Sequence, residues 1–352
     1  MQKMKYVTIK EIIEQPTSWN STINYITQQR KYIKEFTDTL KNRNLIFTGC
    51  GTSYYLGLSG ASIYSKIAKE KANAFPASDL LIFPESIFSN NTKYLTVPIS
   101  RSGTTTETVL AAKSVKKDLG IYTLALSCYE DSELANICNM KLIAQNATEK
   151  SVVMTKSFTT MLLIIQIISA IKAENNDYEK NLTILPEKGE MIVEKYQSTI
   201  QDIINNENMN KFIYLGQGPY YGLACESMLK IKEMSLSTSE AYHSLEFRHG
   251  PKSIVDSKTL LTIFISDAGV EYETNLLQEI KQLGAKTLVI CENKTKEISN
   301  YGDYIFELNS GLSDYERLIL YMPISQLLGY YMAVHKGLDP DKPKNLTQVV
   351  TL

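Results

Sequence analysis

Short apolar runs rich in Ile, Val, Leu and Tyr alternate along this chain with stretches whose apolar residues recur at helical spacing. Tyr94–Ile99, Tyr122–Ser127 and Lys286–Cys291 are such runs, close to continuous in apolar character. A strand reads this way when helices cover both of its faces, as in a parallel sheet. The alternation therefore predicts an α/β protein built on doubly wound parallel sheets.

The pattern occurs twice. A strand ending in Gly49-Cys50-Gly51 is echoed by one ending in Gly216-Gln217-Gly218, at an offset of 167 residues. Leu95–Gly103 (LTVPISRSG) is matched by Leu261–Gly269 (LTIFISDAG) at an offset of 166. Tyr122–Ser127 then pairs with Lys286–Cys291, and Lys141–Ala147 with Tyr304–Ser310. Two five-stranded, flavodoxin-like domains in tandem follow, with ligands expected at the carboxyl ends of the strands. Residues 1–40 should form a helical segment packed on the first domain, interrupted only at Pro16. The first domain should occupy 41–185 and the second 186–337, with Pro186 and Gly189 at the junction and Met191–Asn206 as a lead-in helix. Residues 338–352, with Pro340 and Pro343, should form an extended tail.

The candidate chemistry begins at Ser100-Arg101-Ser102-Gly103-Thr104-Thr105, between the run Tyr94–Ile99 and a helix opening near Glu107. A helix N-terminus offers backbone N–H groups and a positive dipole end, and Ser and Thr hydroxyls add further donors. The loop lacks the Gly-x-x-x-x-Gly-Lys-Ser/Thr signature of nucleotide P-loops, so a compact phosphate such as a sugar phosphate is the expected ligand. The second copy carries Ser266-Asp267-Ala268-Gly269-Val270-Glu271 instead. Its lost hydroxyls and its two carboxylates predict that only the first copy binds the anion.

The second copy carries other chemistry. Glu226, Lys230 and Glu233 share one helical face, which reads either as a solvated, salt-bridged surface or as a proton-transfer base beside a tuning lysine. His249, in Arg248-His249-Gly250-Pro251, sits in a turn, where a functional role and a local backbone hydrogen bond are both open. Composition narrows the classes further. The 352 residues carry a net charge of −1, which gives no electrostatic footprint for nucleic acid or anionic membrane. The N-terminus has no signal-peptide pattern, and the apolar stretch Met161–Ala170 is too short to span a bilayer, so a cytoplasmic protein with a buried core helix is expected. Five scattered cysteines and three histidines form no metal-ligand spacing, and neither a metal nor an organic cofactor is expected.

Six motifs in order, Gly49–Tyr54, Ile99–Thr105, Thr155–Thr159, Glu226–Glu233, Arg248–Pro251 and Pro343–Leu346, resemble those of the tandem sugar isomerase (SIS) domain family. The chain is similar over nearly its whole length to the isomerase half of glucosamine-6-phosphate synthase, and to amino-sugar-phosphate deaminases, ketose/aldose isomerases and fructosamine-phosphate deglycases. The resemblance implies that Ser53, Ser100, Arg101, Ser102 and Thr105 bind the 6-phosphate of a hexose or hexosamine. It implies Glu233 as the base moving a proton between C1 and C2, with Lys230 beside it. His249 would assist ring opening, reaching the site of a neighbouring subunit in a homodimer. Gly51, Thr52, Val152 and Gln348 would contact the sugar.

Departures from the synthase pattern shape the expected reaction. The chain starts directly at its first SIS domain, so glutamine-dependent transamination is not expected. Gln348 stands where the synthase has its Schiff-base lysine, and Met154 replaces a serine near the sugar. The expected activity is a phosphosugar isomerase/deaminase that takes a glucosamine-6-phosphate-like substrate to fructose 6-phosphate and ammonia. A simple ketose/aldose isomerase, a deglycase and a non-catalytic sugar-phosphate sensor remain as alternatives.

Overall fold

The computed structural model describes residues 5–39 and 41–349. Met1–Met4, Leu40 and Val350–Leu352, at the edges of the expected N-terminal segment and tail, lie outside the described residues. Among the described residues, ten strands form two parallel sheets. The first contains β1 (Asn44–Gly49), β2 (Ala72–Pro76), β3 (Tyr94–Pro98), β4 (Tyr122–Ser127) and β5 (Met140–Ile143), in the order β2-β1-β3-β4-β5. The second contains β6 (Lys211–Gly216), β7 (Thr238–Tyr242), β8 (Thr259–Phe264), β9 (Lys286–Cys291) and β10 (Tyr304–Glu307), in the order β7-β6-β8-β9-β10. The two orders are the same, as the internal repeat requires. Every residue of β3 and of β8 is buried, which explains their largely apolar sequence, broken only by Thr96, Thr259 and Thr262. The order reverses between β1 and β3 and between β6 and β8, and sheets of this kind take their ligands at that switch point.

The expected core helix is Lys156–Ala173. It has the length and hydropathy of a membrane span, yet 89% of that stretch is buried inside the protein. Against it lies the helix Thr52–Ile67, close enough that a Cβ on Gly60 would stand 2.8 Å from Ile165 Cδ1. Each fully buried Leu, Ile, Met or Phe of this helix contributes about 1.5–3 kcal/mol of burial.

The chain divides into two compact units. One holds the first sheet and comprises Glu14–Lys150, Met154–Pro186 and the tail from Thr347. The other holds the second sheet and comprises the stretch through Ile13, Ser151–Val153 and Glu187–Leu346. These units are less contiguous than the sequence suggested, because the N-terminal helices are shared out. The helix Val7–Ile13 belongs to the second sheet's unit, where the Asp341 carboxylate accepts the Val7 and Thr8 N–H groups at 2.8 Å each and the Thr8 hydroxyl at 2.7 Å. A helix N-terminus leaves orphan donors and favours an anion, and Asp341 supplies both needs. Buried Glu11 accepts from Ser151 Oγ, and the Val152 N–H donates to the Asp341 carbonyl, so residues 151–153 join the same unit.

The helices Gln15–Gln28 and Arg30–Thr39 belong to the first sheet's unit, anchored by buried Trp19, whose Nε1 donates to Thr159 Oγ1 at 2.9 Å. Pro16 begins a helix instead of breaking one, since a first-turn proline forfeits no intrahelical bond. For the same reason the helix Leu185–Asn206 takes Pro186 into its first turn, and it runs on through Gly189, starting ahead of the expected Met191. From Leu338 to Val349 the chain has no helix or strand and passes through turns at 340–341 and 344–345.

Candidate active site

The hydroxyl loop leaves β3 at the switch point of the first sheet. Its backbone is pinned to the strands on either side: Ile99 N–H donates to Thr48 O at 2.7 Å, and Ser100 N–H to Leu126 O at 3.0 Å. Gly103 turns the chain at φ +65°, and a Cβ there would lie 2.1 Å from Ser132 Oγ. This position needs glycine on both counts. Ser100 Oγ accepts the Gly103 N–H at 3.0 Å and lies 3.1 Å from Thr105 Oγ1 and 3.5 Å from Ser102 Oγ. The hydroxyls of Ser100, Ser102 and Thr105 thus form one cluster in front of the helix Thr106–Lys117, whose N-cap, Thr105, makes no side-chain cap bond.

Ser53 approaches from the neighbouring strand. A Cβ on Gly49 would stand 2.7 Å from Ser53 Cβ and 2.9 Å from the Ile99 carbonyl, so only a bare backbone lets the helix Thr52–Ile67 start this close to the loop. Gly51 is its N-cap, again without a side-chain cap bond, and Thr52 and Ser53 are buried in its first turn. Hydroxyl donors and two helix N-termini on adjacent strands make a place where an anion is favourable.

Arg101 departs from the expected arrangement. Its guanidinium is turned to Glu149 Oε2 at 3.3 Å and to the Gln348 carbonyl at 3.1 Å. Glu149 is fully buried at its side chain and also accepts from Thr155 N–H at 2.6 Å, Thr155 Oγ1 at 2.9 Å, and Ser157 N–H and Oγ at 3.1 and 2.5 Å. Gln348 donates its side-chain amide to the Glu149 carbonyl at 3.1 Å. Val152 belongs to the other unit, through its bond to Asp341.

The second copy's loop holds carboxylates of its own chain. Asp314 accepts the Asp267 N–H at 2.9 Å, the Ala268 N–H at 3.1 Å and the Tyr220 hydroxyl at 2.9 Å. Buried Arg317 clamps it at 2.6 Å and pairs with Asp267 at 2.7 Å. Glu273 takes the Ser266 N–H and hydroxyl at 2.8 and 2.9 Å. Burial pushes its carboxyl up to about 7, against the pull of the Ser266 and Ser244 donors. A cavity of about 320 Å³ beside these groups is lined by Tyr220, Leu245, Tyr272, Glu273 and Tyr315 among others. The chemical asymmetry of the copies is therefore deeper than lost hydroxyls: the Gly269 N–H still meets the Ser266 hydroxyl, as Gly103 meets Ser100, but the Asp267 and Ala268 N–H groups are taken by the chain's own carboxylate.

The solvated-face reading of Glu226, Lys230 and Glu233 fails. Glu226 and Lys230 are buried on the helix Tyr220–Ser235, which packs along the helix Met322–His335. Lys230 Nζ lies 3.3 Å from Glu226 Oε1 and 2.5 Å from Glu233 Oε2. Burial pulls the ammonium pKa down, but the two carboxylates outweigh it, and the value lies above the ordinary 10.5. Glu233 keeps 18% of its side chain exposed, although Oε2, the oxygen held by Lys230, is buried. His249 sits on its own exposed turn, its N–H donating to Glu246 O at 3.0 Å.

Ser53, Ser100, Ser102 and Thr105 are thus gathered in one unit, and Lys230 with Glu233 in the other. Glu149, Glu273, Asp314 and Arg317 were missed from sequence. Polar residues opening the core helix at Thr155 were a visible cap signal, but no local pattern says which upstream carboxylate answers them.

Comparison with known proteins agrees with this architecture. The SIS domain family model matches residues 40–170 and 206–336. Glutamine–fructose-6-phosphate aminotransferase of Sulfolobus acidocaldarius is 32% identical over 350 residues, covering 98% of this chain and 56% of that enzyme. The chain spans less than two thirds of the length of the curated relatives it matches first, 59% for the Francisella tularensis enzyme. Glucosamine-6-phosphate deaminase from Thermotoga maritima superposes with a TM-score of 0.78 at 28% identity, covering 98% of this chain and 99% of that one. A Clostridium novyi NT protein, provisionally assigned as a tagatose-6-phosphate ketose/aldose isomerase, superposes with a TM-score of 0.89 at 28% identity, covering 98% and 93%.

Proposed function

We propose, from the premise that this chain belongs to the SIS domain family, that it is a phosphosugar isomerase/deaminase acting on a hexosamine 6-phosphate. The observation that carries the reading is Lys230, buried between two carboxylates while Glu233 remains accessible. A merely structural ion pair has no need to keep one carboxylate open to solvent, whereas a base must reach its proton. A sensor would need the hydroxyl loop but not this charged helix.

In the proposed reaction the hydroxyls of Ser53, Ser100, Ser102 and Thr105 hold the phosphate, with Gly51 and Thr52 beside the sugar. Binding energy spent far from C1 and C2 orients those carbons. His249 exchanges the proton that opens the ring. Glu233 removes the C2 proton of the open-chain aldehyde while the C1 oxygen takes a proton from the substrate's ammonium, giving an enolamine, and return of the proton from Glu233 to C1 leaves an iminium at C2. Water adds there, and ammonia leaves as the ketose forms. Lys230 holds the carboxylate in place. A homodimer in which His249 serves the neighbouring subunit's sugar completes the proposal.

A second reading, direct aldose–ketose isomerisation without loss of nitrogen, uses the same groups and is favoured by the likeness to the Clostridium novyi protein. A panel of hexose and hexosamine 6-phosphates, assayed in parallel for ketose and for ammonia, separates the two. Glu233→Gln should lower kcat about two to four powers of ten while binding of the phosphosugar is kept. Normal turnover by that variant would remove Glu233 from the mechanism.

A further inference from the structure

We infer that Arg101 is a positioning residue that anchors the C-terminal tail to the hydroxyl loop, and that its charge is not a ligand of the anion. A lone arginine in a loop of hydroxyls invites the opposite reading. Yet both ends of its fork are occupied, Nη1 by Glu149 and Nη2 by the Gln348 carbonyl. Gln348 closes the triangle by donating to the Glu149 carbonyl. Glu149 meanwhile takes up donors at Thr155 and Ser157, where the core helix Lys156–Ala173 begins. One guanidinium therefore ties together the loop, the start of the core helix and the tail. To reach an anion it would have to abandon a carboxylate with no exposed side-chain surface, which is strongly unfavourable.

The internal repeat supplies an independent argument. Position 101 corresponds to 267. Asp267 also forms an ion pair, with Arg317 at 2.7 Å, and Arg317 lies in the segment after β10 just as Glu149 lies after β5. The two charges have exchanged places, but the link from loop to post-strand segment persists. It persists in a copy whose loop has lost the hydroxyl cluster and is filled by Asp314. A pairing kept without the anion site is a link in the fold, and in the first copy it has acquired a third partner, the tail.

The inference touches the proposed anion role of the loop in only one arm of its test. The full chain is compared with Arg101→Lys, which can keep a point contact to Glu149 but not the two-armed fork, and with Gln348→Ala. Tail release is read as tryptic cleavage at the exposed Lys344–Asn345 bond, followed by intact mass. Binding of inorganic phosphate is read by titration calorimetry, and folding by the thermal midpoint. Arg101→Lys should be cut at Lys344 about tenfold faster, as loss of its charge-assisted bond to the Gln348 carbonyl implies, and Gln348→Ala, which keeps that carbonyl and loses only its neutral amide bond to Glu149, about two- to tenfold faster. Their midpoints should stay near the parent's, and phosphate affinity should stay within about twofold. Unchanged tail cleavage in Arg101→Lys overturns the inference, as does a loss of phosphate affinity of about tenfold or more with the tail still held. If the parent chain binds no inorganic phosphate, the anion reading of the loop fails and the cleavage arm alone decides the role of Arg101.

Discussion

Glu273→Gln tests the second copy's self-filled loop through stability alone. The Glu273 side chain is buried, and its carboxylate accepts the Ser266 N–H and hydroxyl and the Ser244 hydroxyl. Burial nevertheless dominates and raises the carboxyl from an ordinary 4.5 to about 7. The folded state therefore holds its proton more tightly than the unfolded chain, so stability falls as pH rises from 4.5 towards 7 and is level on either side. At about 1.4 kcal/mol for each pH unit, the fall amounts to about 3 kcal/mol. Glutamine has the same shape, can still accept the Ser266 N–H through its carbonyl, and does not titrate. Urea denaturation followed by circular dichroism at several values between about pH 5 and 8 should show the parent losing stability that the variant keeps. Parallel pH profiles for the two proteins would refute the claim that this carboxylate is held neutral by burial.

Gly103→Ala should destabilise by about 1–2 kcal/mol for the left-handed backbone and about 1–3 more for the contact with Ser132, lowering the melting midpoint by several degrees in differential scanning fluorimetry. An unchanged midpoint would show that the loop can turn another way. Lys230→Met leaves Glu226 buried without its cation and should cost about 3–5 kcal/mol by chemical denaturation at neutral pH. Because the Lys230 pKa is raised, the parent should keep that contribution through neutral pH and lose it only as pH climbs above 10.5. Ser102→Ala combined with Thr105→Ala removes hydroxyl donors to a charged ligand and should weaken hexose 6-phosphate binding about 10- to 100-fold by calorimetry, with the fold intact; equal affinity would displace the cradle.

The repeat, the parallel sheets and the hydroxyl loop could be read before any coordinates because each is written in local sequence. Strands covered on both faces must be apolar throughout, so the runs at β3, β4 and β9 announced themselves, and Gly49, Gly103 and Gly216 mark places where a side chain would collide. What spacing could not decide was which side of a helix is buried. The spacing of Glu226, Lys230 and Glu233 favoured a wet face, and it is the packing of their helix on β6, β7 and the helix Met322–His335, distant in sequence, that goes with Lys230 being out of water. The division of the N-terminal helices was equally hidden, since Asp341 caps Val7 and Thr8 from more than 330 residues away.

Arg101 shows the same limit at the candidate site. Its sequence neighbours are anion ligands by type, but its partners, Glu149 and Gln348, are 48 and 247 positions distant. Sequence determined which groups could bind an anion or move a proton, because that depends on residue type and on the turn that presents it. Tertiary structure decided which of those groups are already committed to one another, because a buried charge takes its partner from whatever the fold brings within a few ångströms.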